Sequence, residues 1–168
     1  MEEKIKVGGI MQSDGRAIVK LLSVPDRSDA PGLVLGALGN KNVNIEFLVE
    51  STDLDGFANF TFCIDEGSLE RALAALETIK PEVDAKVVTY IPDVSVVSVF
   101  GPHFREKPRI SGVMFSALAN VGINTLAIST SISSVSCVVD AKSVDAAIEA
   151  LYDAFDAPHR VRQRAKGY

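Results

Sequence analysis

The residues whose types and spacing suggest binding chemistry lie in one loop. Asp26 directly follows an apolar run, and Pro31-Gly32 opens the next segment. The first amides of a helix have no partner within it, and they suit a carboxylate. Glycine there lets a ligand approach the backbone closely. Asp26 offers the opposite charge, fitted to an ammonium group. An α-amino acid needs both features, one for each charged end. Asn44 and Glu50 fall on the strand that follows and are expected to reach the same region of the sheet. The same residues also suit an Asx turn at Asp26 and an ordinary Pro/Gly helix start. The chemistry of the loop alone does not separate these two readings.

Other candidate chemistry is sparse. The two histidines are His103, in the loop from Gly101 to Pro108, and His159, near the end of the chain. Neither shares a metal-ligand spacing with Cys63 or Cys137. Both cysteines sit in apolar strand-like runs, so they read as small hydrophobes in a reducing cytosol. Asp53 and Asp55 fit the needs of a hairpin turn better than those of an acid/base pair. The glycine-rich fingerprints of nucleotide sites are missing. Neither a cofactor nor a metal is expected.

The formal net charge is −5, and the positive excess lies in the tail, at Arg160, Arg162, Arg164 and Lys166. A protein with this balance offers a phosphate backbone no broad basic surface, so nucleic acid is not an expected partner. The tail, 157–168, reads as a solvated, frayed end. No apolar run approaches the ~20 residues of a membrane helix, and Met1-Glu2-Glu3-Lys4 lacks the apolar stretch of a signal peptide. A cytoplasmic protein without membrane contact is expected.

The elements that must position the loop repeat along the chain. Ala17–Val24 reads as a strand, and Leu33, Val34, Ala37 and Leu38 as one face of a helix that stops at Gly39-Asn40-Lys41-Asn42. Val43–Val49 and Phe57–Ile64 read as a hairpin. Leu69, Ala72, Leu73, Leu76 and Ile79 form a second helical stripe that ends at Pro81, and Ser68 is its candidate N-cap. Ala85–Ile91 is a last strand. From Asp93 the order begins again, with a strand at Val94–Phe100 and a helix face at Val113, Met114, Ala117, Leu118 and Val121. Ala37, Leu38 and Asn44 recur as Ala117, Leu118 and Asn124. After the hairpin, Leu69, Ala72, Leu73 and Leu76 recur as Val144, Ala147, Ile148 and Leu151. An offset of 80 before the hairpin and 75 after it, held over so many positions, marks an internal repeat of a β-α-β-β-α-β unit.

The second copy shows no strong strand after its second helix, while a spare strand, Ile5–Ile10, precedes the first copy. The economical arrangement lets the N-terminal strand complete the second sheet, which would otherwise expose a long apolar edge. The expected fold is α+β: two ferredoxin-like βαββαβ domains, 15–91 and 92–156 plus 3–11. Strands apolar on both parities, such as Val94–Phe100, suggest faces covered by the other domain or by a second chain, so a homodimer is expected.

The residues Val24-Pro25-Asp26-Arg27, Pro31-Gly32, Gly36-Ala37-Leu38 and Val43-Asn44-Ile45 resemble the first ACT domain of aspartate kinases. Phe115–Ala119, Gly122-Ile123-Asn124 and Ile128-Ser129-Thr130-Ser131 resemble the second. The likeness spans roughly residues 3 to 156. It implies tandem, intertwined regulatory domains that bind lysine, threonine or both as end-product inhibitors. It also implies that equivalent domains of two chains pair side by side with the effector at their interface. In some members the regulatory part is a separate small subunit, assembled with a catalytic kinase subunit. The effector positions carry over to Asp26, to Ala30, Pro31, Gly32 and Leu33 at the helix start, to Asn44 and Ile45, and to Glu50. In the second copy they carry over to Asn124, Thr125 and Ser129 on the matching strand, Asn124–Ser129. The kinase domain itself is not part of the resemblance, so no catalysis is expected of this chain.

Three departures from the family pattern stand out. Ser28, Asp29 and Ala30 separate Arg27 from Pro31, where the family runs almost directly from Pro-Asp to Pro-Gly. Glu50 stands where the family has a glutamine. A carboxylate there repels an effector carboxylate and attracts a side-chain ammonium. In the second copy Pro108 is followed by Arg109, and Ile132-Ser133-Ser134 replaces a charged stretch, so that site reads as degenerate. The altered loop and Glu50 also keep open a stand-alone sensor of a different small metabolite acting on another partner.

Overall fold

The computed structural model describes residues 2–158 and 160–163, and these form two compact units. The first runs from Gly15 to Asp93. The second joins residues 2–14 to the described residues of 94–163. The elements run β1 (Ile5–Lys6), β2 (Gly9–Pro25), α1 (Ala30–Asn40), β3 (Ile45–Thr52), β4 (Phe57–Asp65) and α2 (Leu69–Ile79). They continue with β5 (Val87–Phe100), α3 (Ile110–Asn120), β6 (Ala127–Thr130), β7 (Ser134–Asp140), α4 (Val144–Ala154), β8 (Phe155–Asp156) and β9 (Arg160–Gln163). The fold is the expected α+β pair of ferredoxin-like units. The sheet order is β3-β4-β2-β5 in the first and β2-β5-β7-β6 in the second.

Each unit packs two helices on one sheet face. In the first, Ala17, Val19, Leu21 and Val24 of β2 and Phe60, Phe62 and Ile64 of β4 meet Val34 and Leu38 of α1 and Ala72 and Leu76 of α2. In the second, Val97, Val99, Val135, Cys137 and Val139 meet Met114 and Leu118 of α3 and Ile148 and Leu151 of α4. The helix stripes read from the sequence are these buried faces. Ser68 is the N-cap residue of α2 but makes no side-chain cap bond; its Oγ instead accepts from Arg71 Nη2 at 2.9 Å.

The strands are longer than the sequence suggests. Ala85–Ile91 and Val94–Phe100 were expected as separate strands, yet β5 runs through Pro92 and Asp93. Its first half is an edge of the first unit's sheet, and edge strands are where proline is tolerated. Asp93 adopts φ 54°, a local adjustment that the strand absorbs. β2 likewise crosses the polar stretch Gln12–Arg16, in which Gln12 and Ser13 are buried.

The N-terminal segment does serve the second unit. Ile5-Lys6 pairs in parallel with Phe155-Asp156, and the Gly8 N–H donates to Phe100 O at 2.7 Å. The backbones touch there: a Cβ on Gly101 would lie 2.6 Å from the Gly8 nitrogen. The absence of strands after α4 is corrected, because β8 and β9 both follow it. Arg160–Gln163 pairs in parallel with Ile10–Ser13, where a frayed tail was expected. His159, Arg164 and Lys166 lie outside the described residues.

Both parities of the inner strands are buried. Ile18 and Cys63 are cross-strand partners on the face away from the helices, as are Val96 and Val138, and all four are buried. This burial is complete within one chain, so it does not by itself call for a second. No helix of the described residues is long and apolar enough to cross a membrane.

Candidate ligand-binding site

Asp26 sits just past the end of β2, and a bulge decides where it points. The register of β2 against β4 shifts between Leu21 and Val24, and Ser23 takes φ 56° with its N–H donating to Asn59 Oδ1 at 3.0 Å. Before the bulge the odd residues Ala17, Val19 and Leu21 face the helices. After it Val24 does. Asp26, two positions on, inherits the parity of Val24. A strict two-residue alternation would have placed it on the far side. The Asp26 N–H donates to Gly56 O at 3.1 Å, while its exposed carboxylate makes no bond that would define an Asx turn. The Asx chemistry lies in the β3–β4 turn, where Asp53 Oδ1 accepts from the Asp55 and Phe57 amides at 3.0 Å each. Those amide bonds, led by that from Phe57, hold the Asp53 carboxyl below the usual range.

The start of α1 has one open donor. Asp29 is the N-cap and Pro31 occupies the second helical position, so it brings no N–H. The Ala30 N–H closes a turn on Arg27 O at 3.3 Å, and the Leu33 N–H bonds Asp29 O at 3.1 Å. The Gly32 N–H has no such partner, and open space surrounds Gly32 where a side chain would stand. Ala30 is buried and Leu33 half-buried against the core, while Pro31 and Gly32 are exposed. The Asp29 carboxylate lies in the fork of Arg27, with Nε–Oδ1 and Nη2–Oδ2 both at 2.6 Å, and Arg27 Nη1 donates to Glu82 O at 3.1 Å. Hydrogen bonding to Arg27 keeps the Asp29 carboxyl below the usual range. The sequence reading missed this pair. Its only signal was opposite charge two positions apart in a loop.

Glu50 pairs across from Phe60 and Leu48 across from Phe62, so Glu50 lies on the helix side of the edge strand β3. Thr52 and Val24 both pair with Ala58, which puts the end of β3 and the end of β2 at the same end of the sheet. Asn44 and Ile45 lie at the opposite end, where Ile45 and Ala17 both pair with Ile64. Asn44 and Glu50 were expected together. Six residues of extended chain, roughly 20 Å, separate them.

In the second unit Asn124 and Thr125 fall in the turn before β6, which begins only at Ala127, so the expected strand over Asn124–Ser129 is shorter. Ser129 pairs with Ser136, which pairs with Ser98, and the Ser98 and Ser136 hydroxyls are 2.6 Å apart. This row lies on the face away from the helices. Arg109, the N-cap of α3, bonds Glu2 at 3.1 Å and borders an open cleft of about 460 Å³ with Gly112, Ser116 and Asn120. Cys63 and Cys137 are free and buried. Burial pushes both thiols up to about 12, which removes the thiolate needed for nucleophilic chemistry. Among the described residues no group of three ligating side chains could hold a metal.

A family model described as the ACT domain matches residues 97–155. The chain is 31% identical over 163 residues to an aspartate kinase from Pseudomonas putida, covering 97% of this chain and 39% of that protein. It therefore spans about two fifths of the length of such relatives. Among solved structures, aspartate kinase from Synechocystis superposes with a TM-score of 0.88 at 27% identity, over 100% of this chain and 29% of that one. The regulatory subunit of aspartate kinase from Thermus flavus does so with a TM-score of 0.83 at 25% identity, over 90% and 99%. What aligns is the regulatory part, and these 168 residues hold no kinase catalytic domain. The chain is an ACT-domain regulatory region or subunit, homologous to the regulatory domains of aspartate kinases.

Proposed function

We propose that this chain senses a small amino acid, lysine before threonine, and transmits its binding to a kinase catalytic partner. The effector carboxylate accepts from the Gly32 N–H, and its α-ammonium pairs with Asp26. Ala30, Pro31 and Leu33 form the rest of that turn. Glu50 takes the side-chain ammonium, which is why lysine is favoured. The observation that carries the reading is the amide left open at Gly32, at the start of the helix that follows the exposed Asp26 in the same loop.

Asn44 is too far along β3 to join these groups within one chain. A second copy related by a twofold axis, with its β3 antiparallel to the first, brings its own Asn44 and Ile45 to the Asp26 end. The open edge of β3 and the exposed glycines Gly32 and Gly36 of α1 support such pairing. The degenerate junction of the second unit, with Asn124, Thr125 and Ser129 and with Arg109 at its helix start, holds no effector in this reading.

A thermal-shift series over the twenty amino acids, read beside solution mass, tests the proposal. A ligand that binds only the folded state raises the midpoint. Lysine is expected to raise it by several degrees in a dimeric protein. No response to lysine or threonine, or a monomeric mass with lysine bound, contradicts it.

A further inference from the structure

Asp29 is the N-cap of α1, yet its carboxylate makes no capping bond. An N-cap carboxylate ordinarily accepts from the second or third helical amide. In α1 the second position is Pro31, so the only amide Asp29 can cap is that of Gly32. This is the donor that the proposed function assigns to the effector. The protein thus carries a competitor for its own site, one residue before the helix. Arg27 holds the competitor away, with two bonds of 2.6 Å to the two oxygens of Asp29 and a third bond, to Glu82 O, that anchors the guanidinium itself. The second unit lacks this device, since Arg109 is its N-cap and brings no carboxylate.

We infer that Arg27 is a positioning residue: its fork on Asp29 keeps that carboxylate off the Gly32 amide and so keeps the amide open to an effector carboxylate. The inference rests on the reading of the Asp26–Gly32 turn as the effector site, but the state of the Gly32 amide can be read without any ligand. In Arg27→Gln the fork is lost and Asp29 turns to cap α1. A cap competes with the ligand and lowers apparent affinity by the fraction of molecules left open, roughly fivefold for a cap of ordinary strength.

The test follows the Gly32 amide by nitrogen-15 NMR across pH 2.5 to 6, with L-lysine and L-threonine titrations alongside. In the native protein the Gly32 signal is expected to ignore Asp29 titration. In Arg27→Gln it is expected to gain a transition absent from the native profile, and in Arg27→Gln/Asp29→Ala to lose that transition again. Lysine affinity is expected to fall roughly fivefold in the single variant and to recover in the double, which a merely structural role for Arg27 would not produce. A Gly32 signal indifferent to pH in Arg27→Gln overturns the inference. If native protein binds neither amino acid while the Gly32 signal moves as described, the effector reading fails and the role of Arg27 stands.

Discussion

In the first unit α1 begins after Asp29, whose carboxylate is gripped by Arg27. In the second, α3 begins after Arg109, whose guanidinium reaches Glu2. The backbones around these opposed charges make matching turn bonds. The Ala30 and Leu33 amides bond Arg27 O and Asp29 O at 3.3 and 3.1 Å; the Ile110 and Val113 amides bond Lys107 O and Arg109 O at 3.2 and 3.0 Å. At the other end of the helices, Asn42 and Gly122 both adopt positive φ, and the Val43 and Ile123 amides close on Leu38 O and Leu118 O. The hairpins then diverge: β3 and β4 span eight and nine residues, β6 and β7 four and seven. The repeat therefore preserves what builds a core and changes the charges at the helix starts and the length of the hairpins. The two matching helix starts differ in charge: the N-cap residue is a carboxylate in one and a guanidinium in the other.

The largest expected effects test whether the two cores are equivalent. Leu38 and Leu118 occupy matching buried sites, so Leu38→Ala and Leu118→Ala should each cost about 2–5 kcal/mol in chemical denaturation. A loss confined to one of them would break the structural equivalence. Next, Asp26→Asn should weaken lysine binding at least roughly tenfold by calorimetry, while Glu106→Gln, the counterpart at the constant offset, should leave it unchanged. Equal losses would place the effector elsewhere.

A smaller effect touches the second unit alone. Gly101→Ala forces apart the backbones of Gly101 and Gly8 and should destabilise by about 1–3 kcal/mol, with lysine binding retained. The smallest, at neutral pH, concerns the thiols. Cys63 and Cys137, raised from 9.0 to about 12, should resist a thiol reagent at pH 8 in the folded protein and react on unfolding. A group raised in the folded state lends stability below its unfolded pKa and loses it above. The thiols therefore cost nothing up to about pH 8.5, and stability declines progressively from there toward 12. Ready labelling of one thiol but not the other would show that the sheet face away from the helices, which holds Cys63, and the second core, which holds Cys137, differ in openness.

Much of the fold was legible because helix stripes survive substitution. The offset linking Val34 to Met114 and Leu38 to Leu118 needs only apolar residues at helical spacing. The strand crossings were not legible, because Gln12, Ser13 and Pro92-Asp93 read as breaks by composition while the sheet tolerates them inside longer strands. In the site, Asp26 and Gly32 could be read from their chemistry. The bulge at Ser23, the Arg27–Asp29 pair and the separation of Asn44 from Glu50 could not, since each depends on register or on a side chain's choice between partners.

The central claim is that one helix start of the two receives the effector. The most direct measurement follows the amides of Gly32 and Gly112 in one spectrum as L-lysine is added, with L-threonine as a parallel titration. A saturable shift of Gly32 is expected, with Gly112 unmoved. A shift of Gly112 with Gly32 silent, or silence of both while lysine binds, would contradict it.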